Sequence, residues 1–367
     1  MYDTDVFICG GGPAGLAAAI AARQQGFAVI VADCFKPPID KACGEGLMPD
    51  SLAALEALGI TLDNCETGTF HGIRFVDKEQ SVEAYFPQGV GRGIRRMLLH
   101  DFLHQHAARL GVQFHWATQV LGVQEHVVQA GQKQIRSRWI VGADGMHSRI
   151  RKWANLESGK RLSRRIGIRQ HFKVSPWSRF MEIHWSSRGQ AYVTPISEQE
   201  VCVVLMSREC FSSITDVFPL FPELALRLCK AERSSSERGS LTAGRTYDRV
   251  CNDHTALIGD ASGSVDAIVG EGLALSFLQA RALSAALKQG DLTLYERAHR
   301  QIRRVPTFMS QSMLLMDRFD MLRRKTLSSL HHNPQLFAQM LSVHVGVAPL
   351  TVWGRAGILN VGFQLLV

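Results

Sequence analysis

The chain has 367 residues, enough for one large domain or two interleaved ones. It is 46% hydrophobic and 20% charged, which suits a globular protein and excludes a disordered or collagen-like chain. The net charge is +8, but no nucleic-acid-binding motif accompanies it, so no nucleic-acid partner is expected.

The residues VFIC (6–9) read as a short buried strand, followed by Gly10-Gly11-Gly12-Pro13-Ala14-Gly15 and the alanine-rich LAAAIAARQQG. Proline in the first turn and Gly26 just past the end mark a helix. A second apolar strand, AVIVAD (28–33), ends in Asp33 with Cys34 beside it. Strand, glycine turn, helix, strand and acid make a dinucleotide-binding unit. Gly10 allows the tight turn, Gly12 admits a pyrophosphate and Gly15 allows close helix packing. The helix N-terminus offers free N–H groups to phosphates, and Asp33 offers a carboxylate to a ribose. This unit alone does not separate FAD from NAD(P).

The next segment, DKACGEGLMPDS (40–51), crowds Cys43, Gly44, Glu45 and Gly46 together. A plain connector does not need that composition. Arg96-x-x-Leu99-His100-x-x-Leu103 follows, then GVQFHWATQV up to Val120. Farther on, WIVGADGMHSRIR (139–151) runs an apolar strand into Asp144-Gly145, with Ser148 and Arg151 after it. TALIGDASGSVDAIVGEG (255–272) does the same with Gly259-Asp260-Ala261 and then Gly270-Glu271-Gly272, before a helical stretch beginning at Leu273. In a parallel sheet, ligands bind at the strand ends where these motifs fall. The residues 180–196 and 201–207 read as strands of another sheet. In it His184, Trp185, Tyr192 and Thr194 are candidates to line a cavity. His184 and Trp185 must face opposite ways on one regular strand.

The C-terminal part, from Asp291, carries nine Lys or Arg against four acids and is rich in Met, Leu and Phe. Within 308–325, Phe308, Met313, Met316, Phe319 and Leu322 recur at near-helical spacing, with Arg323, Arg324 and Lys325 behind them. Such a helix can pack on the core, cover a site, or touch an anionic membrane surface peripherally. No apolar run approaches the roughly 18 residues of a membrane span, and no secretory leader is apparent. The eight cysteines show no metal-binding spacing, so no metal is expected and they read as reduced thiols of a cytoplasmic protein.

GGGPAG with Asp33, R-x-x-L-H-x-x-L, GADG with Ser148 and Arg151, and GDA followed by GEG occur in one order across most of 1–290. Together they resemble the FAD-dependent oxidoreductases of the para-hydroxybenzoate hydroxylase fold, a superfamily of aromatic hydroxylases, flavin-dependent halogenases and geranylgeranyl reductases. The resemblance implies an α/β (α+β overall) architecture. A discontinuous Rossmann-like FAD-binding domain (1–66, 91–163, 246–290) would carry an inserted antiparallel β-sheet substrate domain (67–90, 164–245), and 291–367 would be a helical segment. It implies FAD contacts from Gly10, Gly12, Pro13, Ala14, Gly15, Asp33, Cys34, Lys41, Gly44, Arg96, Val120, Asp144, Gly259, Asp260, Gly270, Gly272 and Leu273. NAD(P)H would be the cosubstrate.

Among the branches, no two tryptophans are separated by one residue, so the halogenase W-x-W signature is missing. The reading put first is monooxygenation of a lipophilic phenolic or polyketide-derived substrate through a flavin C4a-hydroperoxide. K-x-C-G-x-G (Lys41–Gly46) and GEGLALS instead resemble geranylgeranyl reductases, which makes reduction of polyprenyl double bonds the alternative. A flavin-binding protein without turnover is the remaining one. The candidate catalytic residues are Cys43, Gly44 and His184. In a hydroxylase Cys43 has no chemical task; in a reductase it could donate a proton.

Overall fold

The computed structural model describes residues 1–63, 65–78 and 80–353. Its first sheet is built on Thr4–Cys9, a strand buried along almost its whole length. Val29–Ala32 pairs with it in parallel on one side and the end of Lys133–Gly142 on the other. Gln113–His115 extends the sheet beyond Val29–Ala32, and Thr255–Leu257 pairs in parallel with the end of Lys133–Gly142. The register aligns Cys9 with both Ala32 and Gly142, and Gly142 with Leu257. The strands therefore finish at one edge, and the three glycine-and-acid motifs emerge there together, as a parallel sheet requires.

Side chains alternate across this sheet. Val6 and Ile8 pack under the helices Pro13–Gln24, Arg96–Arg109 and Gly272–Gln289. Phe7 and Ile140 pack on the other face, against the meander formed by Val120–Gln124 and Val127–Ala130. The helix Pro13–Gln24 forms because seven of its buried positions are Ala, Leu or Ile. It stops where Gly26 takes φ +89°.

The second sheet is mostly antiparallel. Its central strands are Arg165–Lys173, Glu200–Ser207, Gly189–Ser197 and Met181–Ser186, continued by Gly72–Asp77 and Gln80–Tyr85. The strand readings at 180–196 and 201–207 hold, with a turn at 187–188. One face packs Ile168, Val193, Val203 and Leu205 under the segment 211–231. The opposite face packs Ile183, Trp185, Tyr192, Val204 and Met206 against the turn at Ile268-Val269 and the C-terminal helices.

Those helices are Leu292–Ile302, Arg304–Arg318, Asp320–His332 and Pro334–His344. The single helix expected over 308–325 is in fact two, because Phe319 leaves helical geometry at φ −122°, ψ 101°. The bend rotates the apolar pattern. Met316 is buried, whereas Phe319 is 49% exposed, so the five residues do not share one face. Buried charges hold these helices to the second sheet. Arg323 Nε lies 2.8 Å from Asp77, and Arg165 lies 3.6 Å from Asp266 and 3.8 Å from Asp317. The end of the expected helical segment, 354–367, lies outside the described residues. Among those described, no helix is long and apolar enough to cross a membrane.

Candidate active site

At the phosphate end of the cradle, close backbone approach fixes two glycines. A Cβ on Gly10 would sit 2.3 Å from the Ala143 carbonyl oxygen, and one on Gly15 would sit 1.9 Å from that of Gly10. Gly12 differs: no protein atom lies within 4 Å of the place its Cβ would occupy, and no side chain caps the helix that starts at Pro13. The free N–H groups of that helix thus face open space of the kind a pyrophosphate fills. Ala14 meets the Gly259 turn, where a Cβ would come within 2.7 Å of it.

Asp33 accepts the Gly11 N–H at 2.7 Å with one oxygen and the Phe35 N–H at 2.8 Å with the other. It thereby shapes the glycine turn from the end of the second strand. Cys34 beside it is exposed. Val120 is buried, and Thr118 just before it donates its N–H to the Asp33 carbonyl at 2.8 Å, which draws this loop alongside the acid. Arg96 opens its helix, and its Nε is buried without a protein partner. A buried guanidinium N–H left free on this side fits a phosphate oxygen.

Asp144 caps the short helix Arg149–Trp153, accepting from the N–H of Arg149 at 2.7 Å and of Ile150 at 3.2 Å. Its other oxygen is buried and unpartnered. The buried Arg151 donates to the Ala261 carbonyl at 3.0 Å. The two distant motifs, 142–151 and 259–261, are thereby tied into one wall. Asp260 on that wall is exposed toward Lys41, whose Nζ lies 3.2 Å away.

At the other end, Gly44, Gly270 and Gly272 all resemble Gly12: a Cβ on any of them would meet no atom within 4 Å. Leu273 begins the next helix, half-buried. Backbone left uncovered in this way can lie directly against a flat ring. The open approaches at Gly12, Gly44, Gly270 and Gly272 and the orphaned Nε of Arg96 are features that an FAD-binding cradle would use.

What fixes the Cys43–Gly46 loop is Glu45, which the sequence reading passed over. Glu45 is 2% exposed and adopts φ +60°, an unusual conformation for a residue with a side chain. One of its carboxylate oxygens accepts the Arg96 N–H at 3.0 Å; the other lies 2.5 Å from Nε2 of the buried His171. Nδ1 of His171 faces guanidinium N–H groups of Arg95 and Arg169, each at 3.1 Å. That nitrogen must accept, so Nε2 carries the hydrogen and donates to Glu45. Arg95 in turn pairs with Glu200, and Arg169 with Asp40 at 2.7 Å. Ligand atoms of Glu45, His171 and Cys202 lie within 4.8 Å of one another, a spacing that could hold a metal ion. The two arginines against His171 make this a poor cation site and a good anchor for a carboxylate. The only sequence signal was a glutamate between two glycines; its partner lies 126 residues away.

Cys43 is half-buried. Its carbonyl faces the buried Cys202 thiol at 3.7 Å, on the same sheet face as Trp185 and Tyr192. The Tyr192 hydroxyl donates to the Ile268 carbonyl at 2.8 Å, and Thr194 approaches the position of a Gly46 Cβ. His184 is the correction. It is buried on the opposite face, 2.9 Å from Glu182, which also accepts from Trp177 at 3.0 Å. The strand's alternation turns it away from the cradle. His184 is therefore part of the packing under 211–231 and cannot reach a cofactor ring.

Comparison with known proteins agrees with this cradle. The family model described as an FAD binding domain matches residues 3–309. Digeranylgeranylglycerophospholipid reductase 1 of Methanothermobacter thermautotrophicus is 27% identical, over 82% of this chain and 83% of its own length. A putative FAD-dependent monooxygenase of Bacillus subtilis, YetM, is 29% identical over 48% of this chain and 50% of its own. A flavoprotein/dehydrogenase of Cytophaga hutchinsonii superposes with a TM-score of 0.82 at 18% identity, covering 98% of this chain and 96% of that one; this likeness shows the fold. With an open glycine-lined cradle, an unpartnered phosphate-side arginine and a family match over most of its length, the chain belongs to the FAD-binding domain family and is an FAD-dependent oxidoreductase.

Proposed function

We propose that this enzyme reduces carbon–carbon double bonds of a lipophilic, polyprenyl-like chain, drawing electrons from NAD(P)H. The observation that carries the reading is the placement of Cys43. It precedes Gly44, which faces the open ring volume, and its carbonyl touches Cys202 on the inner face of the second sheet. The thiol itself accepts the Glu45 N–H at 3.4 Å within this loop, and on this reading it stands between the cofactor and substrate sides. The reductase relative supports the same reading, because its similarity extends across the second sheet rather than the nucleotide unit alone. This puts first what the sequence alone placed second.

FAD, when bound and reduced, would supply the hydride equivalent for one carbon of the double bond. The Cys43 thiol gives its proton to the other carbon, two C–H bonds replace the π bond, and the thiolate regains a proton from solvent. Glu45, through Arg96 and His171, holds the loop that carries the thiol. Asp33, Asp260, Arg96 and the open glycines hold the cofactor. The inner face of the second sheet, with Ile183, Trp185 and Met206, is apolar and closed by the C-terminal helices, which supports an apolar rather than a polar substrate beside it.

Hydroxylation of a lipophilic phenol is the second reading. The aromatic character of the inner face favours it: Trp185 meets Phe75 edge-on at 6.0 Å, and Phe75 packs on Phe337 at 4.9 Å. One assay separates the two. NAD(P)H consumption is followed with a polyprenyl lipid or a long-chain phenol, with and without O2, and product mass is recorded. Gain of two hydrogens without O2, lost at least a hundredfold in Cys43→Ser, supports the reductase. Gain of one oxygen that survives Cys43→Ser overturns it in favour of the hydroxylase.

A further inference from the structure

Between Gly270 and Gly272, where an added Cβ would meet only open space, Glu271 turns into the protein and is 3% exposed. It precedes the helix Gly272–Gln289 but caps nothing. Its Oε1 lies 3.1 Å from Nε2 of His344, at the end of the helix Pro334–His344, yet makes no aligned hydrogen bond. A second carboxyl stands near it. Asp50, on the helix Pro49–Glu56 that packs against Gly272–Gln289, is close enough for its charge to act on Glu271. Asp50 Oδ1 is also buried and unpartnered. Glu271 thus has an imidazole and a second carboxyl for neighbours, and its Oε1 has no aligned hydrogen bond that would hold it ionised.

We propose that Glu271, with Asp50 and His344 behind it, is a positioning residue that sets the reduction potential of the cofactor by holding a proton. Negative charge develops on the ring when it is reduced, and the Gly270–Gly272 backbone and helix N-terminus favour that charge. A neutral carboxylic acid behind the turn leaves that effect intact. An ionised one opposes it from a dry position. Glu271 and His344 lean toward the neutral state, with Asp50 charged at neutral pH near Glu271. Burial first, and then the charge of Asp50, push the Glu271 carboxyl well above the usual range. Burial holds the His344 imidazole down at about 4, with only the Val269 backbone opposing it. Burial raises Asp50 to about 6. The 3.1 Å contact is therefore a neutral acid–imidazole pair rather than an ion pair. Asp50 and His344 are the titratable groups found facing Glu271 among the described residues.

This inference rests on the bound cofactor and not on which substrate is reduced or oxidised, so it can fail while the reductase reading stands. The test is a redox titration of the FAD-loaded protein from pH 6 to 9, with FAD retention checked by absorbance. The wild-type midpoint should fall more steeply than that of free FAD as Glu271 ionises. The extra fall should be at least about 30 mV, which for a two-electron couple is a tenfold change in the equilibrium. Glu271→Gln should remove the extra fall and keep the low-pH potential. Asp50→Asn removes a neighbouring negative charge, so the inflection should move to lower pH. Potential-versus-pH curves of Glu271→Gln and wild type that coincide overturn the proposal. Should Glu271→Gln not fold, an Asp50→Asn curve with an unmoved inflection overturns it equally.

Discussion

Replacing Glu45 with alanine tests whether one buried carboxylate positions the loop against the ring. The side chain accepts the Arg96 N–H at 3.0 Å and the His171 Nε2–H at 2.5 Å. Each bond to a charged acceptor contributes about 1.5–3 kcal/mol. They share one carboxylate, so they do not simply add, and about 3 kcal/mol is a fair value for removing both. Alanine does not relieve the positive φ of 60°, which costs roughly 1–2 kcal/mol in any residue but glycine. For a chain of this size, a loss of about 3 kcal/mol lowers Tm by about 5 °C. The released loop carries Cys43 and Gly44, so FAD should also bind about tenfold more weakly, or about 1.4 kcal/mol. Thermal unfolding of the apo protein and titration of FAD by fluorescence quenching measure the two effects. Glu45→Gln keeps one acceptor and should show about half of each. Wild-type Tm together with wild-type FAD affinity in Glu45→Ala would refute the anchoring argument.

Two further predictions concern the cradle. Gly44→Val adds atoms where no protein atom lies within 4 Å, whereas a Cβ on Gly15 would fall 1.9 Å from the Gly10 carbonyl oxygen. Gly44→Val should thus keep the apo Tm within about 2 °C yet lose FAD at least tenfold, while Gly15→Val should lower the apo Tm itself; the reverse pattern in the same two assays would contradict the placement of the ring. Arg96→Ala should weaken FAD by about 1.5–3 kcal/mol, the range for a hydrogen bond to a charged group. Arg95→Ala should chiefly lower Tm, because Arg95 is engaged with Glu200 and His171 rather than the phosphate side; equal effects on FAD affinity would place the wrong arginine at the cofactor.

The sequence by itself determined the nucleotide unit and the family. Each signal there is local: glycines at fixed spacing after a strand, an acid at the end of the next strand, and an arginine one turn from a leucine and a histidine. Local backbone chemistry dictates such patterns, so they are legible without a fold. The same holds for the strands at 181–186 and 189–197, whose turn and alternation are written in neighbouring residues. Only the tertiary structure decided which side chains meet. Alternation said that His184 and Trp185 face opposite ways, but not which face the flavin side would claim. The packing shows that the C-terminal helices and the 265–270 turn cover the Trp185 face, while 211–231 covers the His184 face. The kink at Phe319 was likewise invisible in a continuous apolar pattern, since nothing in 308–325 breaks a helix. Glu45, His171 and the Glu271–His344 pair were hidden for a common reason. A buried polar side chain is stable only through partners, and these partners come from segments far apart in the chain, where sequence spacing holds no record of the contact.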